Sequence, residues 1–456
     1  MDNIIVKKRP GHVHRTGKWL PENPAVTKHW LSKLVKHVDT HPKPLMPVLQ
    51  EFQDTVENDS TLHMLATGML LEVPDKPPYN EDPTGACQVR DYKHMFQLFN
   101  HIMQTAPTWS STAEQVGLIG FPINAILDWP MGTPSGYAFF LSEKVNEQFS
   151  KMLGQWGEYL MSPASASVLT NEPDGWFGDE AIAKLTEKGN LNNTNYTFEE
   201  LYVCDPSLPH HGFGSWDDFF IRRFRPEVRP LTAPEGGPPN PDIPDPTAVI
   251  ANCCESAPFN LLRNVKERDT FWLKGQPYSL VDMLAHDDIT PQFIGGTVYQ
   301  AFLSAESYHR WHCPVSGRVV KSYTLPGTYY SEPLCSGFSN PEGPDPAGPN
   351  LSQGYITAVA TRAIIFIEAE NPDIGLMCFI AVGMAEVSTC ETIVKDGQQV
   401  KKGDEIGMFH FGGSTHCLIF RKGVDLVFAR EPPYDLDDIN LPVRDTVAVV
   451  KPNGTH

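Results

Sequence analysis

The sequence predicts an α+β protein, a helical N-terminal region followed by a mostly-β domain. Three observations predict it. Apolar residues recur at helix spacing up to about residue 205. A proline-rich segment then interrupts the chain, and beyond it short β-branched and aromatic runs dominate, each bounded by turn residues. At 456 residues the chain exceeds the ~100–200 expected of one domain, so two folded regions are expected. A hydrophobic content of 41% is enough to fill a core.

Residues 1–27 are polar, basic and punctuated by proline, and read as a loose arm. The helical region covers 28–210. Trp30, Leu31, Leu34, Val35 and Val38 line one helical face, and Tyr92, Met95, Phe96, Phe99, Ile102 and Met103 another. An apolar-rich stretch runs from Phe139 through Trp156 to Met161, and the loop Glu72–Gly85 breaks the pattern with proline and glycine. The segment Pro226–Thr247 is so rich in proline that it reads as a loop or linker no helix can cross. The second domain, 211–456, carries the strand-like runs TAVIA, GGTVYQAFL, GRVVKSYTL, GYITAVATRAIIFIEA, MCFIAVG, CLIF, DLVFA and TVAVV. A second loop, Ser331–Gly354, is too polar and proline-rich to belong to the core.

Net charge is −19, from 36 basic and 55 acidic residues, a balance that repels nucleic-acid phosphates and anionic lipid. The run Ile221–Arg229, IRRFRPEVR, is the one basic patch in the middle of the chain. No secretory leader and no run of ~18–20 apolar residues is present, so a soluble, cytoplasmic protein without stable membrane insertion is expected. Nine cysteines without an export signal are expected to be free thiols, and the absence of a CxxC pair speaks against zinc.

Two segments carry chemistry. In Gly397–Phe420 the pair Gly412-Gly413 delivers Ser414 to the start of an apolar strand. Glycine there permits backbone conformations closed to other residues and lets a nucleophile approach its own carbonyl. By itself a Gly-Gly-Ser reads as a tight hairpin turn. The preceding GQQVKKGDEIG also resembles lipoyl- or biotinyl-carrier modules, but no lysine sits where such a carrier needs it. In Ala301–Gly317, His309 and His312 are three residues apart. They can act as acid and base or as two ordinary histidines; a metal would need a third ligand that no nearby carboxylate supplies, so none is assigned.

Four segments in order resemble the phosphatidylserine decarboxylase family from 212 to 451. GFGSWDDFFIRRFRPEVRPL is similar to its F-x-[DE]-F-F-x-R motif, and WLKGQPYSLVDML to K-G-x-x-Y-S-L. SYHRWHCPVSG resembles D-Y-H-R-x-H-x-P-V-x-G, and FGGST the self-cleaving G-S-T site. The helical half resembles a soluble fungal branch of the family that includes an L-tryptophan decarboxylase. The resemblance implies a proenzyme that cuts itself between Gly413 and Ser414, giving residues 1–413 and 414–456. Ser414 would be the nucleophile and become a covalent pyruvoyl group, the cofactor, which takes the substrate amine as a Schiff base. His312 would be the base for cleavage, and His309 would protonate or position during decarboxylation. In the aligned stretch ANCCES, Glu255 would stand for the family's aspartate and orient His312. Ser307 replaces the family's aspartate before Tyr308, a departure consistent with a changed substrate.

The implied function is pyruvoyl-dependent decarboxylation of a free L-amino acid, most specifically L-tryptophan to tryptamine. Its partners would be that small molecule and its own two chains, not nucleic acid. Phosphatidylserine decarboxylation is the alternative, and a scaffold without catalysis a third reading.

Overall fold

The computed structural model describes residues 24–73, 89–109, 122–237, 241, 243–269, 278–303, 306–334, 352–386, 389–411, 414–431 and 440–452. The predicted arm lies outside these except for its last four residues. Those already belong to helix α1 (Pro24–Thr40), opened by a proline whose missing N–H the first turn would leave unpaired anyway. There follow α2 (Pro47–Glu57), α3 (Ser60–Leu71), α4 (Tyr92–Ile102), α5 (Pro122–Met131), α6 (Pro134–Leu141), α7 (Glu143–Leu160), α8 (Asp179–Gly189), α9 (Phe198–Leu201) and α10 (Trp216–Phe220). Local chemistry sets their starts: the Asp59 carboxylate accepts from the N–H groups of Thr61 and Leu62, and Asp91 from that of His94. The apolar stretch from Phe139 to Met161 is two helices rather than one. Ser142, extended at φ −64° and ψ 126°, separates α6 from α7.

Beyond α10 the chain is mostly strand: β1 (Val249–Ala251), β2 (Ala257–Arg263), β3 (Thr297–Leu303), β4 (Arg310–His312), β5 (Gly317–Leu325), β6 (Arg362–Ala369), β7 (Leu376–Gly383), β8 (Thr389–Thr392), β9 (Gln399–Val400), β10 (Glu405–His410), β11 (Ser414–Phe420), β12 (Leu426–Phe428) and β13 (Thr446–Val450). Two short helices interrupt them, α11 (Leu280–Met283) and α12 (Gln353–Val359). The run GYITAVATRAIIFIEA therefore divides, its first half forming α12 and its second β6. Both halves are buried throughout their cores, and a short buried apolar run does not reveal its period.

Seven strands form one antiparallel sheet in the order β2-β3-β11-β7-β6-β5-β9. Strand β11 lies inside it, hydrogen-bonded to β3 on one edge and β7 on the other, and all seven of its residues are buried. Its alternate side chains enter two cores. Cys417 and Ile419 pack into the core that also holds Phe52, Phe96 and Phe149 of the helices, while Leu418 and Phe420 join Trp311, Phe409 and Ala448. Burial on both faces explains the continuous apolar run CLIF. The second core is closed by two three-stranded sheets, β1-β13-β12 and β4-β10-β8.

The proline-rich segment is not a free linker over its first part: Val228, Arg229 and Ala233 are buried. The basic run before it is not a surface patch either. Arg222 donates to the Glu306 carbonyl, Arg225 to that of Glu199, and Arg229 pairs with Glu255. Arg225, through the Glu199 carbonyl, and Arg229, through the Gly189 carbonyl, tie the β domain to the helical region. The ends of the second loop are also core, with Ser331, Glu332, Ser352 and Gln353 buried. No helix among the described residues is long and apolar enough to cross a membrane.

Candidate active site

Ser414 opens β11 and is fully buried, its backbone in register with Leu303 of β3 and Gly383 of β7. Its hydroxyl has no hydrogen-bond partner among the described residues. The chain reaches it from β10, which belongs to the other sheet, so the connection between them changes sheets within a few residues. Phe411, the last described residue before Ser414, has φ 50°, a left-handed conformation rare for a bulky side chain and costing on the order of 1–3 kcal/mol. Trp156 and Trp216 pack edge-on against its ring at 4.4 and 4.8 Å and hold it there. Gly412 and Gly413, the expected acyl side of the cleaved bond, lie outside the described residues.

The two histidines take different surroundings. His309 is fully buried and stacks on Phe220 of α10 at 4.0 Å, and Phe220 lies 6.1 Å from Phe411. An aromatic chain thus links His309 to the residue that turns into the Ser414 segment. His312 ends β4. Its Nδ1–H donates to the Gly403 carbonyl at 2.9 Å, which leaves Nε2 as the acceptor for the Tyr308 hydroxyl at 3.0 Å. Burial, with the nearby Arg444 charge, pushes the His312 pKa down to about 4, so the imidazole is neutral at pH 7. Burial also holds the Tyr308 phenol well above its ordinary value, keeping it a donor. No hydrogen bond joins Ser414 to His312 among the described residues.

Glu255 does not orient His312 by contact. Both its oxygens are taken, one by the Arg229 guanidinium and the other by Arg229 Nε at 3.0 Å and the Val443 N–H at 2.8 Å. The segment is correctly placed, since the His312 N–H donates to the Cys253 carbonyl at 2.8 Å. The side chain turns instead to the buried cation, because an unpaired guanidinium in that interior would cost more than any hydrogen bond to a neutral imidazole returns. The link to His312 is indirect. Arg229 lies 4.3 Å over the Phe224 ring, Phe224 stacks on Tyr308 at 4.6 Å, and Tyr308 holds Nε2.

Several residues escaped the sequence reading. His416, two positions after Ser414 and on the same face of β11, is fully buried with neither ring nitrogen paired among the described residues. Burial pushes its pKa down to about 3. A lowered histidine pKa means that the unfolded chain gains a proton below pH ~6.5 that the folded chain refuses, so stability falls as pH falls from 6.5 toward 3. His416→Leu is expected to shrink the stability lost between pH 7 and pH 5 by about 2 kcal/mol, read from urea unfolding at both pH values. An unchanged loss would mean that the ring finds a partner.

His410 is held between Asp217 at 2.9 Å and Glu391 at 2.7 Å, and those carboxylates outweigh its burial and raise its pKa. Glu386 stands three residues beyond Gly383. Nothing in the spacing of these residues signals them, because β8, β10, α10 and the end of β7 come together only in the folded chain.

Residues 46–185 and 216–433 match two family models, both described as phosphatidylserine decarboxylase. "Decarboxylase iboD" of Amanita muscaria is 43% identical over 319 residues, 68% of this chain and 87% of that protein. The "L-tryptophan decarboxylase" of Psilocybe cubensis is 35% identical over 415 residues, 89% of this chain and 88% of that protein. The "Phosphatidylserine decarboxylase proenzyme" of Clostridium perfringens is 24% identical over 296 residues, 65% of this chain and 82% of that protein. Matches of this extent, over a helical half and a β half that share one core, mean that the chain belongs to the phosphatidylserine decarboxylase family.

Proposed function

We propose that this protein is a pyruvoyl-dependent decarboxylase of a free aromatic L-amino acid, L-tryptophan foremost, acting in the cytoplasm. It would be made as a proenzyme that breaks its own Gly413–Ser414 bond, with 211–456 as the catalytic domain. The observation that carries this reading is the setting of Ser414. Its backbone is paired on both sides while its side chain makes no hydrogen bond among the described residues. The conversion would remove the Ser414 hydroxyl, which breaks no side-chain hydrogen bond among the described residues, and would place the ketone on its α-carbon where the backbone nitrogen leaves, while the rest of β11 stays paired on both edges. Likeness to an L-tryptophan decarboxylase over nearly nine-tenths of the chain supports the substrate.

A pyruvoyl group at residue 414 would supply the ketone that takes the substrate amine and, through that linkage, the electron sink for the pair left when carbon dioxide departs. The protein's own residues do the rest. His312, neutral at pH 7, can accept a proton at Nε2 once the Tyr308 hydroxyl rotates off it. Phe220 fixes the plane of His309, and so where that imidazole holds or delivers a proton. The buried sheet excludes water from residue 414.

After cleavage the fragment 414–456 keeps β11 between β3 and β7, so its ladders outlive the broken bond. The purified protein is expected to run as two bands on a denaturing gel, the smaller about a tenth of the chain, yet to elute as one species from a native column. With tryptophan it should release tryptamine, detected by mass. A single full-length band with full activity would remove the pyruvoyl mechanism, and turnover of phosphatidylserine vesicles alone would replace the substrate.

A further inference from the structure

A cavity of about 150 Å³ lies where the helical region meets the Ser414 end of the large sheet. Leu153, Trp156 and Leu160 of α7 and the ring of Phe411 form its apolar wall. Two chain segments bring it to Ser414. Phe411 precedes Ser414 by three residues, and Glu386 follows by three the Gly383 that pairs with Ser414, so each lies within about 10 Å of that register position along the chain. An enclosed apolar cavity of about this volume accepts one benzene-sized ring; here the wall is apolar on the α7 side and polar on the Glu386 side.

Glu386 carries the buried polar atom of this wall that has no hydrogen-bond partner among the described residues. It is 3% exposed, and its Oε1 accepts the N–H groups of Ile123 and Asn124 at 2.6 and 2.8 Å, at the start of α5. Its Oε2 is buried with no hydrogen bond among the described residues. The other carboxylates at the cavity, Asp217 and Glu391, are engaged by His410. Burial pushes the Glu386 pKa up to about 8 in spite of its two backbone donors, so at pH 7 the substrate-free site holds a proton on its second oxygen, and a ring N–H that donates to that oxygen favours the release of the proton.

We propose that this cavity receives the substrate's side chain and that Glu386 Oε2 accepts a hydrogen bond from a ring N–H, making Glu386 a specificity-determining residue for an indole-type amino acid. The inference rests on the amino-acid decarboxylase reading above and assigns the helical region a task, supplying the wall against which the ring lies. A site that hydrogen-bonds a substrate N–H discriminates strongly against analogues that lack it, because its own acceptor is then left unpaired.

The test compares kcat/KM for L-tryptophan, 1-methyl-L-tryptophan and L-phenylalanine in the processed wild type and in Glu386→Gln. Glutamine keeps the acceptor for α5 but turns a donor into the cavity. L-Tryptophan turnover is expected to fall about 10- to 100-fold, with L-phenylalanine changed less than about threefold, and wild type should disfavour the methylated substrate. Equal losses for tryptophan and phenylalanine, or none, would reduce Glu386 to a helix cap and overturn the inference. If Glu386→Gln does not process, Gly157→Leu serves. Gly157 lines the cavity, and a Cβ there meets no atom within 4 Å, so the variant should fold, cleave and lose tryptophan turnover by raised KM. Unchanged KM in that variant would also overturn the inference. A wild type that neither cleaves nor acts on any aromatic amino acid would instead sink the functional reading itself.

Discussion

Ser414→Ala is expected to yield an uncleaved chain of 456 residues that decarboxylates nothing. Alanine lacks the hydroxyl that attacks the Gly413 carbonyl in the proposed cleavage and cannot yield a pyruvoyl group, so both processing and turnover are expected to vanish rather than decline. The loss should come without unfolding. The Ser414 side chain makes no hydrogen bond among the described residues, and alanine occupies the same space in β11, so stability should stay within about 1 kcal/mol of the parent. A gel, an amine assay and a melting curve together separate the chemistry from the fold. Residual cleavage at the same bond, or turnover by the intact chain, would move the nucleophile elsewhere.

Glu255→Ala should have the largest effect on stability. It strands the Arg229 guanidinium in the interior, where the partners left to it are the Gly189 and Val228 carbonyls and the Phe224 ring. Breaking a buried ion pair from one side costs about 3–5 kcal/mol, much of the total stability of an ordinary domain. The pair joins the end of α8 to the segment beside His312, so the damage falls on the junction between the helical region and the β-rich part of the chain. The paired variant Glu255→Ala with Arg229→Ala should lose less than the sum of the two single losses, read from urea midpoints. A Glu255→Ala protein that unfolds at the parent's urea concentration but fails to process would return Glu255 to a direct role at His312.

Glu255 also shows how far a linear motif reaches. ANCCES aligns the right backbone beside His312, whose backbone N–H donates to the Cys253 carbonyl. Which way the carboxylate turns was settled by Arg229, twenty-six residues upstream in a run that reads as a basic patch. Charge composition describes solubility and not placement, so a guanidinium that bridges two regions looks the same in sequence as one in solvent. The same limit hid Asp217, His410 and Glu391, which lie on three different elements. It also hid α12, whose apolar run looks like its neighbouring strand.

The sequence by itself determined the class of fold, because helix spacing in one half and short β-branched runs in the other are local signals that survive any arrangement. It also determined the family resemblance, through motifs whose residues lie close together in the chain. Only the tertiary structure decided that β11 is an inner strand, so that Ser414 is held by its backbone. Only it decided that Glu255 serves Arg229, and that Trp156, Phe411 and Glu386 face one cavity. The physical reason is that these are choices of partner between distant segments, made by burial and by the cost of leaving a charge or a donor unpaired, and no single segment records them.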